Sequence, residues 1–518
     1  MKKRLFIPSL LIVLLPAFCF AQLKKDVLHY RFGIDLSDSN DVIRGNASIR
    51  FRALEEISSI TLDLAGIDPK TGKGMRITSV KDGNTTLAFR HNNERLEIDL
   101  GGRLQPNQER TIEISYNGVP GDGLIISRNK YGDRTFFADN WPNRGHNWLP
   151  CVDDPADKAT VEFIVTAPEK YEVVANGLLI ESTDLLGDRK LSHWREDVPL
   201  ATKVMVIGVA DFAVQLSGMI DGCIPVTSWI YPQDRTKGFY DFAQAAEILP
   251  FFISYIGPYG YKKLANVQSK TIFGGLENAN TIFYAESAVT GERKKEDLLA
   301  HEIAHQWFGD MVTETSFAHL WLSEGFATYL TVLYMESKYG TEKARQMLEE
   351  DRQQVIAFSK KNSTPVVDEK SSYMDLLNPN SYQKGGWVLH MLRRQLGDSV
   401  FHPSIRAFYA AYKGKNANTD DLRKIFEKES GRDLQRFFQQ WLYTPGQPML
   451  EITWGYSETE RRPFVTVTQK QDKLFQFPLE LRWKHASGKT ITQAFDINGA
   501  THRFLLPGNE RISGLEAD

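Results

Sequence analysis

His301-Glu-Ile-Ala-His305 has the residue types and spacing that a metal centre needs. On a helix, residues four apart project from one face, so both imidazoles can reach a single ion. Glu302 is turned about 100° from His301 around the same helix, which leaves its carboxylate free to reach a water on that ion. The flanking residues suit a helix: Lys294 to Ala300 contains good helix formers, and Gly309 is a natural stop. A surface helix carrying two solvated histidines would satisfy the same five letters, so the motif needs a third ligand.

A catalytic zinc takes three protein ligands and keeps a fourth position for water. Glu324, in Trp321-Leu-Ser-Glu-Gly-Phe-Ala-Thr-Tyr329, lies at the start of a second long helical pattern. Two antiparallel helices joined by a loop of about ten residues would return it to the histidine pair. His319 competes as a ligand, but it precedes the periodic helix and reads as a loop histidine. A longer motif with a glycine and then a third histidine fails, because Phe308 and Met311 stand at those places. The expected set is His301, His305 and Glu324 around one Zn2+ per chain, with Glu302 as general base. Gly274-Gly-Leu-Glu-Asn278, taken alone, is a glycine turn with a solvated glutamate.

The elements that must position these groups fall into three stretches. From about Val27 to Val214, short runs of period-two alternation are separated by turn residues. Examples are Arg76–Val80, Thr86–Phe89, Thr111–Ser115 and Thr160–Val165, which predict an all-β, sandwich-like domain. The pattern then becomes mixed and mostly helical. It predicts helices over Phe239–Ile256, Leu298–Phe308, Leu320–Tyr339, Trp387–Leu396, Leu422–Glu429 and Leu434–Leu442, with a β-like stretch around Ala265–Phe283. Thr444-Pro-Gly-Gln-Pro448 punctuates the chain, and alternation returns after it, enough for a small β-domain whose last few residues should be loose.

At 518 residues the chain exceeds one compact core. Lys and Arg (62) nearly cancel Asp and Glu (65), so no basic excess points to nucleic acid or an anionic membrane. Lys2, Lys3 and Arg4 precede an apolar run to Phe20 and then Ala21, the layout of a secretory signal peptide cleaved near Ala21. Phe18 beside Cys19 is too bulky for the usual lipidation pattern. No later segment has the length of a membrane helix, so the mature chain is expected to be exported, periplasmic or secreted. Cys151 and Cys223 then remain; they fit two buried small hydrophobes at least as well as a disulfide.

Together the motifs resemble the aminopeptidase N-type (gluzincin) family of zinc metallopeptidases, in a short form lacking the family's C-terminal helical domain. The likeness runs from about residue 27 to 518. It rests on Gly274–Asn278, the His301–His305 helix, Glu324 in its Trp-Leu-x-Glu-Gly-Phe-Ala context, and Tyr382-Gln-Lys-Gly385. Leu149–Pro155 resembles part of the family's first β-domain.

The resemblance implies an α+β multidomain chain. A signal peptide (1–21) would precede an N-terminal β-sandwich-like domain (22–214), a thermolysin-like catalytic domain (215–445) and a small β-domain (446–518). It implies aminopeptidase activity on peptides with a free amino terminus. Tyr382 would stabilise the oxyanion, Glu277 would bind the α-ammonium, and Gly274, Gly275 and Asn278 would contact the substrate backbone. Where relatives carry a Gln-x-Glu or Gln-x-Gln pair near the substrate amine, this chain has Asp139 and Trp141; Asp139 is either a second anion there or an ordinary loop aspartate. Without the helical domain the cleft should be more open, unless a partner subunit closes it; oligomeric state is not legible. A zinc endopeptidase, a bifunctional epoxide hydrolase and a non-catalytic peptide-binding protein are the alternatives.

Overall fold

The computed structural model describes residues 24–518. The expected signal segment, with Cys19, lies outside the described residues.

The first β-rich unit follows from strict alternation. In Lys158–Pro168, Ala159, Val161, Phe163, Val165 and Ala167 all turn inward while their neighbours face out. This strand pairs in parallel with Lys25–Asp35 inside an eight-stranded sheet. A three-stranded sheet (Ile57–Asp63, Arg95–Leu104, Phe89–Asn92) and a four-stranded sheet containing Arg134–Ala138 complete the unit. The expected strand over Thr86–Phe89 is instead divided. Thr85–Thr86 and Phe89–Asn92 belong to different sheets, because Leu87 turns into the core between them.

The middle unit begins with a five-stranded sheet. Ala213–Ile220, Ile224–Ile230, Leu264–Ser269 and Thr281–Ala285 lie side by side, and Gly275–Leu276 forms the antiparallel edge. Against it pack α1 (Arg235–Phe242), α2 (Ala245–Tyr255) and α3 (Glu296–His305), with α4 (Trp321–Tyr339) on α3 and α5 (Thr341–Ser359) on α4. They are followed by α6 (Gly385–Leu396), α7 (Asp398–Tyr412), α8 (Thr419–Ser430) and α9 (Gln435–Leu442). The single helix expected over 239–256 is two, broken at Ala243-Gln244. Helices α5 and α7 are additions to the expected set.

Two three-stranded sheets form the C-terminal unit, with a core of its own around Val465, Leu481 and Trp483. The chain end is not loose: Ile512–Ala517 pairs with Phe477–His485. A second, continuous core runs through the first and middle units.

Buried polar contacts fix those two units to each other. Lys203 Nζ meets Glu314 Oε1 at 2.5 Å, and Asn176 donates to the Ala279 carbonyl at 2.8 Å. Asn280 donates to Glu196 Oε2 at 2.8 Å. Two of these contacts anchor the turn just after Gly274–Asn278. Cys151 is buried and Cys223 exposed, both as free thiols. Among the described residues no helix is long and apolar enough to cross a membrane.

Candidate active site

Helices α3 and α4 run antiparallel. Tyr334, near the end of α4, donates to Glu296 at the start of α3 (2.6 Å), while His305 at the end of α3 meets Ser323 at the start of α4. This packing gathers His301, His305 and Glu324, whose ligand atoms all lie within 4.8 Å of one another. The two Nε2 atoms are 3.1 Å apart and stand 3.3 and 3.2 Å from Glu324 Oε2.

His305 Nδ1 lies 3.1 Å from the Phe308 carbonyl, which can only accept a hydrogen bond. Nδ1 therefore carries the proton, with Ser323 Oγ also 3.0 Å away, and the Nε2 lone pair faces the triad. Lone pairs and a carboxylate converging at this distance repel unless a cation sits among them. The donor set, two imidazoles and one carboxylate, is the one that catalytic zinc takes. The residues present fit the ion.

Glu302 reaches the same space because position 275 has no side chain. A Cβ there would stand 2.2 Å from Glu302 Oε1, so the edge strand passes directly over the carboxylate. Gln306 clamps that strand with both ends of its amide: Nε2 donates to the Glu277 carbonyl (2.9 Å), and Oε1 accepts from Asn280 N–H (2.6 Å). Glu277 Oε1 is buried without a hydrogen-bond partner among the described residues. Tyr382 sits in a π-helical turn, Asn380–Lys384, with its ring stacked on that of His301 (centroids 6.0 Å apart, planes 12° apart). The turn can approach because Gly325 of α4 meets Gly385 of α6; a Cβ at 325 would be 2.9 Å from Gly385 backbone atoms.

Electrostatically the site is acidic. Burial, reinforced by Glu277, Glu324 and Asp310, raises the Glu302 carboxyl well above its ordinary range, and a cation held by the triad would oppose that shift and favour the carboxylate. Burial works to lower His305, but Glu324 foremost, with Glu277 and Glu302, outweighs it, a negative field that favours a cation among the three ligands. Glu324 moves the other way: despite its burial, His305 and His301 keep it low.

These groups line a cavity of about 520 Å³, together with Gly274, Gly275, Glu277 and Trp141. Two expected site residues lie outside its lining. Asn278 is fully buried behind the strand. Asp139, also fully buried, is an ion-pair partner of Arg144 and accepts from Thr271 Oγ1 (3.2 Å) and Ile272 N–H (3.4 Å). It braces the loop ahead of Gly274, with its charge already matched by Arg144. His319 donates or accepts at Thr419 Oγ1 (2.9 Å), apart from the triad. Gln306, Ser323, Gly325 and Asp351, another cavity-lining residue, are not singled out by spacing; Gln306, Ser323 and Gly325 each adjoin a ligand, which is the available signal.

The model of the peptidase M1 N-terminal domain matches residues 26–204, and that of the peptidase family M1 domain matches residues 240–441. Aminopeptidase M1 of Arabidopsis thaliana is 26% identical over 442 residues, which are 80% of this chain and 50% of that protein. Tricorn protease-interacting factor F2 of Thermoplasma acidophilum is 26% identical over 482 residues, 89% of this chain and 58% of that protein. The chain thus spans about half the length of the curated relatives it matches. A crystal structure of an M1 zinc metallopeptidase from Deinococcus radiodurans superposes with a TM-score of 0.69 at 23% identity, covering 82% of this chain and 95% of that one. The N-terminal β-rich fold, the helix-containing middle unit and its His-His-Glu triad all accord with these matches: the chain belongs to peptidase family M1.

Proposed function

We propose that this chain is a zinc aminopeptidase that removes the first residue of peptides. The observation that carries the proposal is Glu277, a buried carboxylate oxygen without a partner beside Glu302 and the His-His-Glu triad. A buried carboxylate oxygen without a hydrogen-bond partner is costly, and a substrate ammonium would satisfy it. An endopeptidase substrate has no ammonium at that place.

His301, His305 and Glu324 would hold the zinc, which when bound supplies Lewis-acid polarisation and a more acidic water. Glu302 would take a proton from the attacking water and pass it to the leaving amine. Tyr382 donates to the oxygen on which charge develops, a contact worth more in the transition state than in the ground state. Glu277 fixes the amino terminus, and the edge strand Gly275–Leu276 offers its backbone to the extended substrate. On the same reading the basic and apolar leader up to Ala21 directs the chain out of the cytoplasm, and the units divide near residues 214 and 445.

The test compares an aminoacyl arylamide with its N-acetylated form, in the unaltered enzyme and in Glu277→Ala. The free amine should be cleaved and the acetylated form not. Glu277→Ala should lose about ten- to a hundredfold in kcat/KM on the free amine. Equal cleavage of both forms by the unaltered enzyme would remove the aminopeptidase assignment.

A further inference from the structure

The cavity continues beyond the groups used above, and its direction is fixed by α3. Glu277 is tied to Gln306, just past His305, at one end of that helix. Asp297 and Leu298 line the cavity about one turn before His301, at the other end. Eight residues of helix separate Asp297 from His305, about 12 Å. The triad lies between these ends. On the proposed aminopeptidase reading, a peptide with its ammonium at Glu277 and its first carbonyl at the triad must send its leaving part along the Asp297 branch.

That branch has a defined chemistry. Thr328 and Val332 of α4 follow Glu324 by one and two turns, so they project along the same face. The chain reverses at Gly340 (φ 89°), which lays α5 against α4 and brings in Met347 and Asp351. Leu298, Val332 and Met347 give the branch apolar walls, and the half-buried carboxylate of Asp351 is set among them. Among the described residues no cation pairs with Asp351, and the only other charge acting on it is that of Glu350. Burial, with Glu350 adding, pushes its carboxyl up to about 7, the response of a carboxylate that lacks a counter-charge. Lys295 and Asp297 also line the cavity, but both are exposed, and Lys295 forms no ion pair with Asp351 among the described residues.

We infer that Asp351 selects lysine or arginine as the second residue of the substrate, the residue that becomes the new amino terminus. Long basic side chains match the branch in both parts: an aliphatic stem lies along apolar walls, and the cation reaches the carboxylate. An acidic second residue would bring a like charge into a half-buried space, which disfavours it.

The experiment measures kcat/KM for Leu-Lys-Gly, Leu-Leu-Gly and Leu-Glu-Gly amides, each free and N-acetylated, with zinc-loaded enzyme. The expected order is Lys over Leu over Glu, with Lys over Glu by about tenfold or more. Asp351→Asn should bring the Lys-to-Leu ratio to about one. Asp351→Lys should place Glu above Lys, an inversion that a merely structural role of Asp351 would not produce; thermal melting identifies any variant that fails to fold. Free peptides cut within about twofold of one another, or a Lys preference that survives both substitutions, would overturn the assignment of Asp351 while leaving the aminopeptidase reading intact. Acetylated peptides cut as fast as free ones would remove both.

Discussion

Gly275 matters through the atom it lacks. An alanine methyl there would lie 2.2 Å from Glu302 Oε1, 2.4 Å from its Cδ and 2.6 Å from its Cγ, too close for the carboxylate to keep its place under the strand. Either the carboxylate or the edge strand must move, and both sit over the triad. Glu302→Gln should cost about a hundred- to a thousandfold in turnover while zinc stays bound, because the amide cannot take a proton. Gly275→Ala should fall by a comparable factor for a geometric reason. If the two act through one carboxylate, the double variant is barely slower than Glu302→Gln alone. Losses that simply multiply would show that Gly275 acts elsewhere, and full turnover with zinc bound in Glu302→Gln would place the base on another residue.

Between elements, the decisive contact is the approach of α4 to the turn before α6. Gly325 and Gly385 meet backbone to backbone, and a Cβ at 325 would also stand 3.2 Å from the Ser381 carbonyl. Gly325→Ala must push Asn380–Lys384 outward and carry Tyr382 away from His301. It should cost about 1–3 kcal/mol in stability and lower turnover, with Tyr382→Phe adding little on top; an unchanged rate would separate Tyr382 from the chemistry. The sequence made the helices of the site legible, since α3 and α4 carry both ligand spacing and an apolar stripe. It could not display a contact between two glycines sixty residues apart, nor the clamp of Gln306 on the Glu277 and Asn280 backbone, because both are tertiary. Helix α5 is hidden for a different reason: only Ala344, Leu348 and Val355 are buried along its nineteen residues, too sparse a stripe to register. Helix α7 carries Pro403 in its interior, which reads as an interruption. Of the two readings open for Asp139, its ion pair with Arg144 and its bonds to the Thr271–Ile272 loop favour that of a loop aspartate.

At the scale of the whole molecule, two kinds of buried titratable group bear on stability. Burial lowers His319 and His390 to about 4, each neutral against a hydroxyl, of Thr419 and Tyr329 respectively. In the unfolded chain both would protonate near 6.5, so between about 6.5 and 4 the unfolded state binds more protons. Stability should hold above that window and fall as pH drops through it, a trend denaturant midpoints would register; His319→Gln should flatten the slope. The second kind is the Lys203–Glu314 pair between the first and middle units, where both side chains are almost wholly buried. Burial opposes the Lys203 charge, but Glu314, Glu277 and Asp310 together keep its pKa raised. Lys203→Met strands the Glu314 carboxylate with one oxygen already unpartnered, and breaking such a pair costs about 3–5 kcal/mol. Replacing both residues with methionine removes the stranded charge, so Lys203→Met/Glu314→Met should recover most of that loss in a denaturant titration. A double variant as unstable as Lys203→Met would mean that Lys203 acts chiefly on the other carboxylates behind the metal site.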